Sequence, residues 1–404
     1  MFLLKKAGCR IVQTVFRAAL PILPYREPEI VQSCWELDRV FQREQIQSVC
    51  VVTDRGIAQS GLLFLVEQVL KENKMSYVVY DRTHPNPTVS DVEEAFQLYQ
   101  EHNCNALIAI GGGSAMDCAK GLGARIAYPK KKIRQMKGVL RILRKLPVLI
   151  AIPTTAGTGS ETTLAAVITD SEKEQKYVLM SFPLIPRYAV LDANFTYSLP
   201  PHLTAATGMD ALTHVVEAYI GRSTTKETRR WALETVKLIF ENLEEAYLDG
   251  SNQKARENML HAAYKAGLVF SRSYVGYIHA IAHSLGGKYG THHGLANAVI
   301  MPYVLEGYGT CIDRKLWELA MAAGVCLESD TYHAGAKKFI RAVRQFNAKM
   351  GLPEKLSGIC RADIPELAKH AEKEANPLYP VPKLMTQKKL EAFYRQIADG
   401  SMEA

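Results

Sequence analysis

The sequence predicts an α/β N-terminal domain with a parallel sheet, followed by an all-α C-terminal domain. Two observations carry this expectation. Up to residue 200, short apolar runs rich in β-branched residues alternate with segments of helical periodicity, the pattern of βαβ units whose sheet is covered on both faces. After Pro200–Pro201 such runs become scarce and amphipathic helical spacing prevails. A length of 404 residues is also more than one ordinary core holds. The expected division is an N-terminal helical extension over 1–27, an α/β domain over 28–200 and a helical domain over 201–404.

The elements follow in order. MFLLKKAGCRIVQTVFRAALPILPY carries four cations and no acid, with Leu4, Ile11, Val12, Val15, Phe16, Ala19 and Leu20 at helical spacing. Arg10, Gln13 and Arg17 interrupt what would be the apolar core of a signal peptide. The segment therefore reads as an amphipathic helix packed on the body, with membrane-surface attachment as the alternative. Strands are expected over Ser48–Asp54, Ser76–Asp81, Ala106–Ile110 and Val148–Thr155. Between the first two, IAQSGLLFLVEQVLKEN has helical spacing; after the second, Ser90 and Glu93 form a capping-box pattern. TTLAAVITD and KYVLM are expected to be two more strands joined by the charged turn SEKEQ. WALETVKLIFENLEEAYL and KKFIRAVRQFNAKM are amphipathic helices of the second domain.

Composition narrows the function classes. Hydrophobic residues make up 48% and charged residues 22%, as in soluble globular proteins. No apolar run reaches the length of a transmembrane helix. The eight cysteines show no CxxC spacing, which fits reduced thiols in a cytoplasm and argues against a disulfide framework or zinc knuckle. The net charge of +8 is concentrated in PKKKIRQMKGVLRILRK, Pro129 to Lys145. That run reads as a solvated face. It lacks aromatic residues, so a base-stacking role is disfavoured and no nucleic-acid partner is expected.

Ligands of open parallel sheets bind beyond the carboxyl ends of the strands. There, Gly111, Gly112, Gly113 and Ser114 follow a strand and open a helix, a place where backbone can approach a phosphate. The motif is neither GxGxxG nor a P-loop, and a glycine run can also make a plain tight turn. PTTAGTGSE ends the fourth strand with clustered hydroxyls and glycines. Asp54 ends the first, where a carboxylate can hold ribose hydroxyls and would repel the 2′-phosphate of NADP, although Arg55 lies beside it.

In the second half, GMDALTHVVEAY places Asp210 and His214 at i and i+4, with Cβ atoms about 5–6 Å apart on one helix face. HAIAHSLGGKYGTHHG repeats that spacing with His279 and His283, and His292 and His293 follow. One carboxylate and several imidazoles suit a borderline divalent metal such as Fe²⁺ or Zn²⁺. Each pair alone is as well explained by a surface contact or a hydrogen-bonded core histidine.

Together, DRTHPNPT, AIGGGSAMDCAK, IPTTAGTGSE, GMDALTHVVEAY and HAIAHSLGGKYGTHHGLANA resemble the iron-containing (group III) alcohol dehydrogenases, in order, from about Ser48 to Tyr308. The resemblance implies a dinucleotide-binding domain, a helical metal domain and catalysis in the cleft between them. It makes Asp210, His214, His279 and His293 the metal ligands and His283 a proton-transfer residue beside the metal. It gives Asp54 the ribose position, and Asn86, Gly112, Gly113, Ser114, Asp117, Thr154, Thr155, Thr158 and Lys176 the remaining cofactor contacts. His292 stands where the family commonly has proline, and the resemblance gives it no role. Tyr274 and Tyr277 either narrow the substrate pocket or belong to the core.

The function this implies is reversible hydride transfer between a small alcohol or aldehyde and NAD, or NADP, with Fe²⁺, or Zn²⁺, as Lewis acid. Two alternatives remain at this level: a zinc-dependent polyol dehydrogenase similar to glycerol dehydrogenases, and a catalytically silent nucleotide-binding protein. A cytoplasmic enzyme is expected, with a homodimer left open.

Overall fold

The computed structural model describes residues 2–170 and 175–401, with the side chains of residues 2–6, 16, 21 and 175 outside the description. Residues 171–174 of the expected SEKEQ turn therefore lie outside the described residues. The chain forms two compact units: Pro24–Leu199, and Met1–Leu23 together with Pro200–Ala404.

The first unit is built on β1 (Glu29–Val31), β2 (Ser48–Val52), β3 (Ser76–Tyr80), β4 (Ala106–Gly111), β5 (Gly138–Val139), β6 (Val148–Pro153), β7 (Ala165–Asp170), β8 (Gln175–Met180) and β9 (Tyr188–Val190). Six of them form a sheet in the order β1-β9-β6-β4-β2-β3, parallel throughout. Side chains alternate between faces, so each strand feeds two cores. Cys50, Val52, Leu107 and Ala109 enter one buried cluster; Val49, Val51, Ala106, Ile108 and Ile110 enter the other. β7 and β8 pair antiparallel in a separate sheet with β5.

Beginning with α1 (Phe2–Ala19), the helices continue through the first unit as α2 (Leu37–Arg43), α3 (Arg55–Gln59), α4 (Leu62–Glu72), α5 (Val89–Glu101) and α6 (Gly113–Ala127). The helix expected after β2 is split, because Gly61 takes φ +85° between α3 and α4. The capping box of α5 is Thr88 with Asp91 rather than Ser90 with Glu93. Thr88 is extended and forms an isolated β-bridge with Thr169, whose N–H donates to the carbonyl of Pro87 (2.7 Å). The basic run is a loop with a short 3₁₀ turn over Ile133–Met136 and the two-residue strand β5, anchored by buried Ile133, Met136 and Ile142 and by an Arg134–Asp170 ion pair.

The second unit adds α7 (Pro201–Ile220), α8 (Lys226–Leu248), α9 (Gln253–Ser273), α10 (Tyr277–Tyr289), α11 (His293–Tyr308), α12 (Asp313–Ala322), α13 (Tyr332–Lys349), α14 (Ile364–Ala375) and α15 (Gln387–Ile397). Every residue of α7 from Thr204 to Ile220 is buried, so α7 is a core helix, with α8, α9 and α11 packed against it. The helical extension expected over 1–27 forms α1 over residues 2–19, but the face it presents differs from the one expected. Cys9, Gln13 and Leu20 are buried, whereas Ile11, Val12 and Val15 are exposed at 64%, 43% and 65%. The side chains of Leu4 and Phe16 lie outside the description. Among the described residues no helix is long and apolar enough to cross a membrane.

Asp91 ties the start of α5 to β3. It accepts from the backbone of Thr88 and His84, from the Tyr80 hydroxyl (3.1 Å) and from His84 Nδ1 (2.8 Å). Burial alone would raise its pKa, but these hydrogen bonds outweigh burial and hold the carboxyl below its usual value. A depressed folded pKa stabilises the fold above the unfolded carboxyl pKa and is lost as pH falls through the folded value. Asp91→Ala removes a cap and leaves the Tyr80 hydroxyl unpaired, so it should cost about 2–4 kcal/mol in urea unfolding at pH 7. The difference from wild type should shrink as pH falls below about 4; a difference that does not depend on pH would contradict this account.

Candidate metal and cofactor sites

α7 carries Asp210, His214 and Glu217 at i, i+4 and i+7, on one side of a helix that cannot turn because it is buried. Glu217 is 3% exposed and its carboxylate is fully occupied. It accepts the N–H groups of Gly276 (2.8 Å), Ile278 (2.7 Å) and His279 (3.3 Å), and His279 Nδ1 lies at 2.7 Å. One side chain therefore caps α10 and orients the first histidine of that helix. Gly276 makes room for it: a Cβ there would come within 2.6 Å of Glu217 Oε1.

With Nδ1 held by Glu217, His279 turns Nε2 inward, where it is buried without a hydrogen-bond partner. His293 arrives as the first residue of α11. The ligand atoms of Asp210, His214, His279 and His293 all lie within 4.8 Å of one another. Ligands about 2.0–2.2 Å from one tetrahedral ion stand roughly 3.5 Å apart, so small side-chain adjustments would close this set around a cation. Protonation states also fit. Burial first, and neighbouring histidines second, push His279 well below the ordinary imidazole value. Burial likewise lowers His293 to about 4, against the pull of Asp210. Burial opposes ionisation of Asp210, yet His214 and His293 bring its pKa below the usual value. His279 and His293 are thus held as neutral imidazoles and Asp210 as a carboxylate, the forms that bind a metal.

His283 lies one turn after His279, its ring stacked on His293 at 5.1 Å. Its Nδ1 is 2.6 Å from Glu374 Oε1 on α14. Burial lowers its pKa, but Glu374 overcomes this and the net shift is upward. His283 is thus electrostatically unlike the four clustered residues. His292 is the exposed N-cap of α11 and stands outside the cluster. Tyr277 is fully buried, with its hydroxyl on Asn376 and Met385. Tyr274 lies 6.4 Å from Tyr379 between ring centroids.

Sequence reasoning passed over Glu217, Asn297 and Glu374. Glu217 had a signal, the i+7 position on the face of Asp210 and His214. Asn297 is at i+4 from His293; its Nδ2 reaches Asp210 Oδ1 at 2.7 Å and His293 Nε2 at 3.1 Å. Glu374 had none.

In the first unit the turn after β4 has the features a phosphate site needs. Gly111 takes φ +147°, and a Cβ there would meet Ala115 Cβ at 2.8 Å. Gly112 caps α6, and Gly112 and Gly113 face Thr155 and Thr158. Thr154 donates its backbone N–H to the carbonyl of Gly111, and the buried Thr155 hydroxyl has no partner. Asp54 caps α3 through Ile57 N and lies beside Gly111. Asn86 joins the turn: its N–H donates to Ser114 Oγ (3.2 Å) and its Oδ1 accepts from Lys176 Nζ (2.9 Å). Lys176 is therefore part of this cluster and not a detached surface charge. Asp117 differs from the rest, since one oxygen accepts from Ser160 Oγ and the other from Val167 N. It ties Ser160 of the loop after β6 to Val167 of β7.

Residues 30–193 match the family model described as iron-containing alcohol dehydrogenase, and residues 204–398 match the C-terminal model of the Fe-containing alcohol dehydrogenase family. The chain is 38% identical over 339 residues to alcohol dehydrogenase 4 of Saccharomyces cerevisiae (strain ATCC 204508 / S288c), covering 83% of this chain and 87% of that protein. It is 35% identical to the NAD-dependent methanol dehydrogenase of Bacillus methanolicus, covering 80% and 84%. Among solved structures, a 1,3-propanediol oxidoreductase superposes with a TM-score of 0.88 at 32% identity, covering 92% of this chain and 98% of that one. Family models spanning both units, together with these relatives, establish that the chain belongs to the iron-containing alcohol dehydrogenase family.

Proposed function

We propose that this protein is an NAD-dependent alcohol dehydrogenase and aldehyde reductase for small primary alcohols, with Fe²⁺ held by Asp210, His214, His279 and His293. The convergence of those four ligand atoms within 4.8 Å, around the inward-facing Nε2 of His279, carries the reading. Zn²⁺ is the alternative ion, because one carboxylate and three imidazoles suit either. When bound, the metal polarises the substrate oxygen and NAD exchanges the hydride.

The chain's own residues do the rest. Glu217 keeps His279 in one tautomer with Nε2 free. Asn297, touching both Asp210 and His293, steadies two ligands from α11. His283 takes the hydroxyl proton during oxidation and returns one during reduction. Its Nδ1 is committed to Glu374, so Nε2 is the nitrogen left to exchange it. In the other unit, Gly112, Gly113, Ser114 and the Thr154–Thr158 segment are assigned to the pyrophosphate, Asn86 and Lys176 to its edge, and Asp54 to the ribose. The Asp54 carboxylate favours NAD over NADP, because a 2′-phosphate would meet its charge. All eight cysteines are free thiols, which supports a reducing, cytoplasmic setting.

Four substitutions test this assignment. Against a panel of short aldehydes with NADH, after anaerobic Fe²⁺ reconstitution, His279→Ala should lose metal and activity together. His283→Ala should keep stoichiometric metal while kcat falls about 10²–10⁴-fold; loss of metal from that variant would reverse the division of roles. Glu217→Gln should weaken metal affinity about 10–100-fold in chelator competition, and an unchanged affinity would remove Glu217 from the metal site. Asp54→Asn, which retains a helix-capping oxygen, should improve the NADPH to NADH ratio of kcat/KM about tenfold, roughly 1.4 kcal/mol. A ratio equal to wild type would show that Asp54 does not face the ribose.

A further inference from the structure

Helix α1 precedes residue 30, where the family match begins. Its described apolar side chains at Ile11, Val12 and Val15 face outward, so hydrophobic burial along that stripe does not explain why it is seated on its unit. Polar side chains do this work. Arg10 donates Nη1 to the carbonyl of Val381 (2.8 Å) and Nη2 to that of Pro382 (2.9 Å). Gln13, 5% exposed, donates Nε2 to the carbonyls of Pro377 (3.1 Å) and Tyr379 (2.7 Å). Arg10 Nη1 also reaches Gln13 Oε1 at 2.7 Å, so the two form one unit.

The partner segment explains why donors are needed. Pro377, Pro380 and Pro382 have no N–H, so the loop 377–382 offers more acceptors than donors. An arginine and a primary amide on an adjacent helix supply the missing hydrogens. Its backbone bonds are Val381 N to Tyr379 O, Tyr379 N to Ala375 O and, from outside the loop, Arg222 N to Pro380 O (2.7 Å).

This loop carries Tyr379, whose hydroxyl donates to Glu374 Oε1 at 2.7 Å. The same oxygen takes His283 Nδ1 at 2.6 Å. Continuous contact thus runs from α1 through the proline loop and Tyr379 to Glu374 and the imidazole. We infer that Arg10 and Gln13 are positioning residues for His283: by locking the 377–382 loop they seat Tyr379 on Glu374, and Glu374 then fixes the histidine ring. This rests on His283 as the proton-transfer residue, and it assigns α1 a part in turnover.

The test uses full-length holoenzyme and steady-state aldehyde reduction with NADH. Arg10→Ala/Gln13→Ala should lower kcat about tenfold, with metal content unchanged and KM for NADH within about twofold. Tyr379→Phe, which removes one oxygen and leaves the fold's packing intact, should lower kcat by a similar factor. In a Glu374→Gln background the Arg10/Gln13 substitutions should add less than about twofold, because their effect passes through that carboxylate. A clamp that only stabilised the fold would give independent, multiplying losses. Wild-type kcat in Tyr379→Phe, or full multiplication of the losses, overturns the inference. Wild-type kcat in His283→Ala would instead overturn the proton-transfer reading itself.

Discussion

The buried carboxylate of Glu217 is the constraint on which the metal end of this protein depends. A carboxylate with almost no access to water must have its acceptor capacity met by protein groups. Glu217 meets it with three backbone N–H groups at the start of α10 and with His279 Nδ1. Burial pushes its pKa up to about 7, while those backbone hydrogen bonds favour the ionised form. Satisfying one group thus sets the register of α10 against α7, determines which nitrogen of His279 faces inward, and requires a residue without a side chain at position 276. Asp210 and His214 lie on the same face of α7, so candidate ligands from two helices are brought into mutual range by a single contact.

Much of this was legible from periodicity. Asp210 and His214 lie on one face by helical spacing alone, and β2 and β4 were readable because their alternating side chains fill two cores. The strands that escaped, β1 and β9 of three residues each and β5 of two, are too short to show a period. Glu217 occupies a visible position, but a glutamate in a helix ordinarily reads as a solvated residue. The Glu374 contact joins residues 91 apart in sequence, and no local pattern encodes it. The outward face of α1 has a different cause. Its apolar residues do show helical spacing, but Arg10 and Gln13 of its polar row donate to carbonyls of the proline loop, contacts that exist only in the folded chain.

Hydrogen-bond accounting also separates residues that sequence position treats alike. Gly112, Gly113, Ser114, Asp117 and Thr155 all come from two strand ends and look equivalent as cofactor contacts. In the folded unit the buried Thr155 hydroxyl is without a partner, whereas both oxygens of Asp117 are engaged within the loop. Burial raises the Asp117 pKa, and Lys120 and the two hydrogen bonds counter it. Both Asp117 oxygens thus support the segment beside the glycine turn.

On the proposed assignment four residues bind one ion while the adjacent His283 stays free for proton transfer. Anomalous scattering at the iron edge, from crystals of anaerobically prepared protein, tests it most directly. One peak is expected about 2.0–2.2 Å from a carboxylate oxygen of Asp210 and one nitrogen each of His214, His279 and His293. His279 should bind through Nε2, with His283 beyond bonding distance. A peak bonded to His283 or His292, or an ion held by Nδ1 of His279 with Glu217 displaced, would contradict it.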